Sequence, residues 1–312
     1  MTLAKELACV IEQGLVFENE PMRNHTTFRI GGPADLFACP ETEEGFIAGL
    51  KWCKEKNLPF YIIGNGSNLL VGDKGFRGVI FKICRTLDWV RREVIAADDA
   101  ENSKIIVHVG AGMMLAKLAK DISFMGYKGF EFATGIPGTL GGAIAMNAGA
   151  YGGEMKQILT AVKAVDMDGN VHEFTVDEMN LGYRTSRVQT ENLIVLSATL
   201  EFKKGNADEI IQEVDQLTSQ RKEKQPLEYP SAGSTFKRPE GYFAGKLIQD
   251  AGLKGYRVGD AMVSEKHSGF VINVGEATAN HVRQLMTDVD AIVYDKFQVH
   301  LEPEVRMIGE FE

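Results

Sequence analysis

Four short stretches of this sequence carry residue types whose spacing suits an anionic, ring-bearing ligand. Ile63-Gly64-Asn65-Gly66-Ser67-Asn68-Leu69 runs from an apolar stretch into a glycine-rich turn. Successive backbone N–H groups in such a turn can nest an anion, and glycine allows φ > 0 and close approach of a phosphate. A purely structural turn fits the same residues, and the pattern is neither a Walker A loop nor a Rossmann GxGxxG. The second stretch is Thr134-Gly135-Ile136-Pro137-Gly138-Thr139-Leu140-Gly141-Gly142-Ala143, continuing through Asn147-Ala148-Gly149-Ala150-Tyr151-Gly152-Gly153. Its small side chains let backbone amides face a flat ring or a diphosphate, with tight backbone packing as the alternative. Two such stretches in one chain favour a dinucleotide-sized ligand. The third, Ser231-Ala232-Gly233-Ser234-Thr235-Phe236-Lys237-Arg238-Pro239, sets a hydroxyl three and four residues before two cations. That layout suits an anionic substrate, although a lone Ser in a turn is commonly a local cap. No Gly-x-Ser-x-Gly elbow surrounds Ser234, which argues against an α/β-hydrolase. The fourth, Leu301-Glu302-Pro303-Glu304-Val305-Arg306-Met307, would put Glu304 and Arg306 on one face of a strand. Terminal charges of this kind are otherwise solvated. Tyr183-Arg184 follows a turn-forming Gly182, and His267 is the histidine that sits in a polar loop beside glycines. His108, within an apolar run, reads as structural.

The elements that must position these groups follow from hydrophobic periodicity. Helices are expected over 2–13, 43–56, 115–124, 207–220, 242–250 and 281–294. Strands are expected over 59–63, 79–83, 105–109, 193–202, 270–274 and 298–307. Thr27-Phe28-Arg29-Ile30 alternates like a strand, breaks at Gly31-Gly32-Pro33 and resumes from Asp35 to Ala38, as a hairpin would. Asp168-Gly169-Asn170 between two apolar runs, 161–167 and 171–176, is a second hairpin signal. The helix over 207–220 reads as a bridge between two domains. Helices and strands mix without βαβ alternation, so the class is α+β.

Composition narrows the function. The 312 residues carry 34 Lys+Arg against 43 Asp+Glu, a net charge of −9, and no basic run, which argues against a nucleic-acid partner. No apolar stretch reaches the ~18 residues of a membrane span, and the first residues lack a signal-peptide pattern. Cys9, Cys39, Cys53 and Cys84 form no CxxC pair and have no His at ligand spacing, so they read as reduced thiols without a metal. Glycine numbers 33, of which five fall within 64–78, eleven within 110–153 and eight within 233–275. That clustering coincides with the candidate ligand segments rather than with linkers.

In order along the chain stand His25-Thr26-Thr27-Phe28-Arg29-Ile30-Gly31-Gly32-Pro33-Ala34-Asp35, the turn at 64–69, the segment 135–142, Tyr183-Arg184, Gly233-Ser234-Thr235-Phe236 and Leu301-Glu302-Pro303-Glu304-Val305-Arg306. From about 24 to 306 the ordered set resembles the UDP-N-acetylenolpyruvoylglucosamine reductase (UDP-N-acetylmuramate dehydrogenase) family. The resemblance implies an FAD-binding fold of the vanillyl-alcohol-oxidase (PCMH) type over 1–204, in two α+β subdomains. A smaller α+β substrate-binding domain would cover 205–297, and a C-terminal strand over 298–312 would return to the flavin site.

For chemistry, the resemblance implies an NADPH-dependent flavoprotein oxidoreductase with non-covalent FAD, which turns UDP-N-acetylglucosamine enolpyruvate into UDP-N-acetylmuramate. Hydride would pass from flavin N5 to C3 of the enolpyruvyl group, and a proton from Ser234 to C2. Arg184 and protonated Glu304 would stabilise the enolate-like charge, with Lys237 and Arg238 helping the serine alkoxide. Gly64, Asn65, Gly66, Ser67 and Asn68 would cradle the FAD diphosphate. Thr134, Gly135, Ile136, Pro137, Gly138, Gly141, Gly142 and Ala143 would line the isoalloxazine and ribityl chain, and Tyr61, Leu69 and Arg306 complete the cofactor set. Tyr183, Arg221, Lys237, Arg238 and His267 are the substrate candidates, the three basic residues among 221, 237 and 238 for the UDP diphosphate. The setting would be cytoplasmic peptidoglycan synthesis, and through it cell wall biogenesis, cell shape and cell division. Eight residues separate Arg184 from the strand that begins at Leu193, too few for the tyrosine-bearing loop of the family's longer members. The chain thus resembles the shorter class. An FAD-linked oxidase of the same superfamily and a non-catalytic sugar-nucleotide-binding protein are the competing readings.

Overall fold

Helical and strand periodicities sort the chain into the following elements in a computed structural model, which describes residues 1–83, 87–95 and 103–311. The first stretch runs α1 (Leu3–Ile11), β1 (Gly14–Pro21), β2 (Pro33–Pro40), α2 (Glu43–Glu55), β3 (Phe60–Ile63), β4 (Leu69–Val71) and β5 (Phe76–Lys82). The middle runs β6 (Val90–Ile95), β7 (Lys104–Gly110), α3 (Leu115–Phe124), β8 (Tyr127–Lys128), α4 (Leu140–Ala145), β9 (Gly149–Ala150) and β10 (Gly153–Glu154). It continues through β11 (Leu159–Val165), β12 (Val171–Thr175), α5 (Arg187–Thr190), β13 (Ile194–Lys204) and α6 (Ala207–Lys224). The last stretch is β14 (Ser231–Ser234), α7 (Ala244–Asp250), β15 (Arg257–Val258), β16 (Ala261–Val263), β17 (Phe270–Asn273), α8 (Ala279–Phe297) and β18 (Arg306–Ile308).

These elements form two compact units. Unit 1 comprises Met1–Phe17, Phe37–Gly64 and Ile80–Arg221, and unit 2 comprises Glu18–Leu36, Asn65–Val79 and Lys222–Glu312. The boundaries fall inside β1, β2 and β5, three members of a four-stranded sheet of order β1-β2-β5-β3. The last boundary falls near the end of α6, the helix expected to bridge two domains.

Unit 1 is built on an antiparallel sheet of order β12-β11-β13-β7-β6, with β8 also pairing β13. Burial alternates along β7 and β13, as half-buried strands require. On α3, Leu115, Leu118, Ala119 and Ile122 form the buried face that their spacing predicts. Thr42 caps α2 by accepting the Gly45 N–H at 2.9 Å, and Phe46, Leu50 and Cys53 are its buried stripe. Burial pushes the Cys53 thiol up to about 12, so it packs as a neutral apolar group. Cys9, Cys39 and Cys53 are in no disulfide, while Cys84 lies outside the described residues.

In unit 2 a sheet of order β14-β17-β16-β15 packs with α7 and α8. Val282, Leu285, Met286, Val289 and Val293 of α8 share one apolar cluster with Val263, Val271, Leu301 and Val305. Phe28, Ile30 and Leu70, far earlier in the chain, belong to that same cluster.

Two expectations fail here. The segment 27–30 is not a hairpin strand, because β2 neighbours β1 in the sheet. The Arg29 N–H instead closes a turn on the Thr26 carbonyl at 3.2 Å, with Arg29 at φ 56°. Its alternating Phe28 and Ile30 are buried by the unit 2 core instead. Nor is 298–307 one strand. Gln298 is left-handed at φ 57° and Pro303 makes a single bridge with Phe236, so regular pairing begins at Arg306. Proline has no N–H to sustain a ladder.

Candidate active site

The glycine turn at 64–69 follows β3 and leads into β4. Gly66 has φ +63°, and a Cβ on it would lie 2.1 Å from the His25 carbonyl oxygen. On Gly64 a Cβ would lie 2.2 Å from Thr139 Oγ1, so this glycine packs directly against the second small-residue segment. The N–H groups of Gly66, Ser67 and Asn68 have no acceptor among the described residues. Three adjacent unpaired donors fit a diphosphate, so the residues present suit that part of FAD. Asn68 ties the turn to the C-terminal motif. Its Nδ2 donates to the Glu304 carbonyl at 3.1 Å, and the Arg306 N–H donates to the Asn68 carbonyl at 3.0 Å. Leu69 then registers with Arg306 in the parallel pairing of β4 and β18. Tyr61 lies on β3, half-buried.

The second segment is fixed by its backbone. The Gly141 N–H donates to the Ala111 carbonyl at 2.9 Å, the Leu140 N–H to Met113 at 2.9 Å, and the Gly138 carbonyl accepts from Leu115 at 3.0 Å. Thr134 is buried with its hydroxyl on the Glu131 carbonyl, at 2.9 Å. Ile136, Pro137 and Gly142 keep exposed surface, whereas Ala143 is buried at the start of α4. Arg221 lies over Gly135, where a Cβ would meet its Cδ at 2.6 Å. Its guanidinium has no hydrogen bond or ion pair among the described residues. Burial lowers its pKa from the usual value, partly offset by Tyr151. Sequence grouped Arg221 with Lys237 and Arg238, yet it closes unit 1 beside the second small-residue segment while those two lie in unit 2.

Tyr183 and Arg184 form the tip of a tight turn closed by reciprocal bonds, Gly182 N–H to Thr185 O at 3.1 Å and Thr185 N–H to Gly182 O at 3.3 Å. Arg184 takes φ 55°, its guanidinium sits 5.1 Å from the Tyr183 ring centroid, and Nη2 donates to the Gly149 carbonyl at 3.4 Å. The turn is fastened to the end of α4. Ser186 Oγ and Gln189 Nε2 donate to the Ala145 carbonyl at 2.7 and 2.5 Å, and Gln189 also reaches the Arg184 carbonyl at 3.1 Å.

Ser234 closes β14, a strand rather than the turn expected, with Gly233 at φ +78° and an irregular register between Ser231 and Ser234. The strand was hidden because Ser-Ala-Gly-Ser has no apolar alternation. Next to it, Thr235 O accepts the Glu304 N–H at 2.8 Å, and the Lys237 N–H donates to Glu302 O at 2.8 Å. The structure therefore brings the Ser234 and Glu304 segments side by side in unit 2. Lys237 is ion-paired with Glu302, and Arg238 stacks 4.4 Å from the Phe243 ring centroid. His267 accepts the Gly269 N–H on Nδ1 at 3.1 Å and packs on Phe270. Burial holds its pKa below the ordinary 6.5, which favours the neutral ring. Arg184 belongs to unit 1, so the three candidate catalytic residues divide between the units.

Residues 34–175 match an FAD binding domain, and residues 225–308 match the UDP-N-acetylenolpyruvoylglucosamine reductase, C-terminal domain. A UDP-N-acetylenolpyruvoylglucosamine reductase of Alkaliphilus oremlandii is 52% identical over 306 residues, 98% of this chain and 97% of that protein. One from Lachnoclostridium phytofermentans is 50% identical over 99% of this chain and 97% of its own length. The chain belongs to the UDP-N-acetylenolpyruvoylglucosamine reductase family. A crystal structure of the Thermus caldophilus member superposes with a TM-score of 0.77 at 33% identity, covering 95% of this chain and 99% of that one. As a member of this reductase family the chain is an FAD oxidoreductase of peptidoglycan precursor synthesis with an α+β fold. Among the described residues no helix is long and apolar enough to cross a membrane.

Sequence reasoning missed Asn147, Thr139 and Thr235 as residues that hold the family motifs in place, and Asp73 as the residue whose carboxylate accepts the Ala279 and Asn280 N–H groups at the start of α8. Asn147 had a local signal, since an Asn just after an apolar helix and before small residues commonly takes a left-handed conformation. Thr235 and Asp73 had none, because their partners lie far along the chain.

Proposed function

We propose that the chain reduces UDP-N-acetylglucosamine enolpyruvate with Ser234, Arg184 and Glu304 as its catalytic residues, in the cytoplasm. Bound FAD supplies the hydride, taken from NADPH. Gly66, Ser67 and Asn68 would hold the cofactor diphosphate on their free N–H groups, and the segment 134–143 would support the ring and ribityl chain. Arg221 contributes positive charge beside Gly135. Addition of hydride at C3 of the substrate leaves charge at C2 and on the neighbouring carboxylate. Arg184 and Glu304 orient that group and stabilise its charge. Ser234 donates the proton to C2. A serine hydroxyl is a poor acid in water but a competent one toward so basic a carbon, and Lys237 and Arg238 favour the alkoxide that remains. Tyr183 and His267 border the substrate.

The observation that carries this assignment is the Asn68 amide on the Glu304 carbonyl, which fastens the carboxyl-bearing segment to the diphosphate turn while Thr235 links that segment to Ser234. Ser234→Ala tests it. Anaerobic bleaching of the flavin by NADPH should proceed at the wild-type rate, while its reoxidation by UDP-N-acetylglucosamine enolpyruvate should slow by about 10²–10⁴-fold, the usual contribution of a general acid. Equal loss in both half-reactions would remove Ser234 from the proton-transfer step.

A further inference from the structure

We propose that Asn147 is the positioning residue for Arg184, a single amide that sets the arginine turn against the flavin-side segment. The inference rests on the reading of Arg184 as catalytic. Asn147 follows the last residues of α4, is 1% exposed and takes φ 41°. Left-handed backbone at a non-glycine position favours asparagine. Both amide hydrogens and the amide oxygen are engaged. Nδ2 donates to the Gly182 carbonyl at 3.1 Å and to Glu154 Oε2 at 3.1 Å, and Oδ1 accepts the Lys156 N–H at 3.0 Å.

Three pieces of unit 1 therefore meet on one amide. They are the end of the small-residue segment, the hairpin of β9 and β10, and the turn that carries Tyr183 and Arg184. The Gly182 carbonyl is also the acceptor that closes that turn, so the amide fixes the turn at its hinge bond. Arg184 in turn leans on the Gly149 carbonyl, two residues beyond Asn147. Position and orientation of the guanidinium are thereby tied to the backbone that lines the flavin. No other residue type reproduces the arrangement. Aspartate has no donor for Gly182 and would set a carboxylate against Glu154. Glycine keeps the backbone and loses every bond, and glutamine carries the amide one methylene too far.

Two variants test this in the FAD-loaded protein, Asn147→Gly and Asn147→Asp. Both should retain flavin absorbance and be bleached by NADPH at the wild-type rate. Reoxidation by UDP-N-acetylglucosamine enolpyruvate should slow by about 10²-fold, the scale of a misplaced catalytic group. Adding Arg184→Ala to either variant should slow reoxidation no further than Arg184→Ala alone, because both changes remove one function. Wild-type reoxidation in both Asn147 variants, with Arg184→Ala impaired, overturns the proposal and spares the role of Arg184. Wild-type reoxidation in Arg184→Ala removes that role and the proposal with it. Loss of FAD from both Asn147 variants would assign the residue to cofactor binding and also overturn it.

Discussion

Gly64 and Gly66 both belong to the glycine-rich turn at 64–69, yet a methyl group would meet different obstacles at each. At Gly66 the obstacle is the His25 backbone carbonyl, 2.1 Å away, and the left-handed φ of +63° adds strain of about 1–2 kcal/mol. At Gly64 it is the Thr139 side chain, with Oγ1 at 2.2 Å. Gly66→Ala should therefore yield protein with little bound FAD, and no side-chain change should restore it. Gly64→Ala should also bind FAD poorly but recover when combined with Thr139→Ala, which deletes the nearest atom. Fluorescence titration with FAD measures both, and equal behaviour of the two double variants with Thr139→Ala would contradict the distinction. The sequence made these glycines visible as a cluster. It could not tell which was required by conformation and which by a neighbour, because His25 and Thr139 reach them through the fold.

Elements whose signals are local were legible, and those stabilised from a distance were not. The hairpin of β11 and β12 was legible because Asp166 Oδ1 accepts the Asp168 and Asn170 N–H groups at 2.8 and 2.9 Å, a turn chemistry written in consecutive residues. The stripe on α3 was legible for the same reason. By contrast α8 carries, besides its local Thr278 cap, a second cap that no local pattern announces. Thr278 serves His281, but the Ala279 and Asn280 N–H groups donate to the two carboxylate oxygens of Asp73, at 2.7 and 2.9 Å, across 206 and 207 residues. An anion on two free N–H groups at a helix start is favoured by hydrogen bonding and by the helix dipole. Asp73→Ala should lower stability by about 1–2 kcal/mol in urea unfolding, at the upper end for a cap because two donors lose their acceptor. A change below a few tenths of a kcal/mol would show that solvent replaces the carboxylate. Ser234 and Glu304 belong to this second class. Both residue types could be picked out in the sequence, but their adjacency depends on pairing of the segments at Thr235 and Phe236 with Pro303 and Glu304, nearly seventy residues on.

For the whole molecule, the helix over 207–220 suggested two domains joined by a bridge, and two units are present, but they are not consecutive. Six segments alternate between them, so the chain crosses five times. Unit 2 takes Phe28, Ile30 and Leu70 into its apolar cluster, and β18 has its only strand partner in β4 among the described residues. The fragment 222–312, which contains the whole of the matched C-terminal domain, should therefore fail to fold alone. Far-UV circular dichroism and amide NMR dispersion would report it, and a cooperative thermal transition in the fragment would sink the expectation.

The same interleaving sets an order of events during synthesis. Residues 18–36 and 65–79 leave the ribosome long before their partners in 222–312 exist. At about 5–20 residues per second the wait from Val79 to Arg306 is roughly ten to fifty seconds. Throughout that interval Phe28, Ile30 and Leu70 lack the apolar cluster that buries them in the finished protein. The nascent chain thus presents a defined, early-made hydrophobic surface for a chaperone to shield, and the glycine turn at 64–69 gains its Arg306 anchor among the last steps of translation.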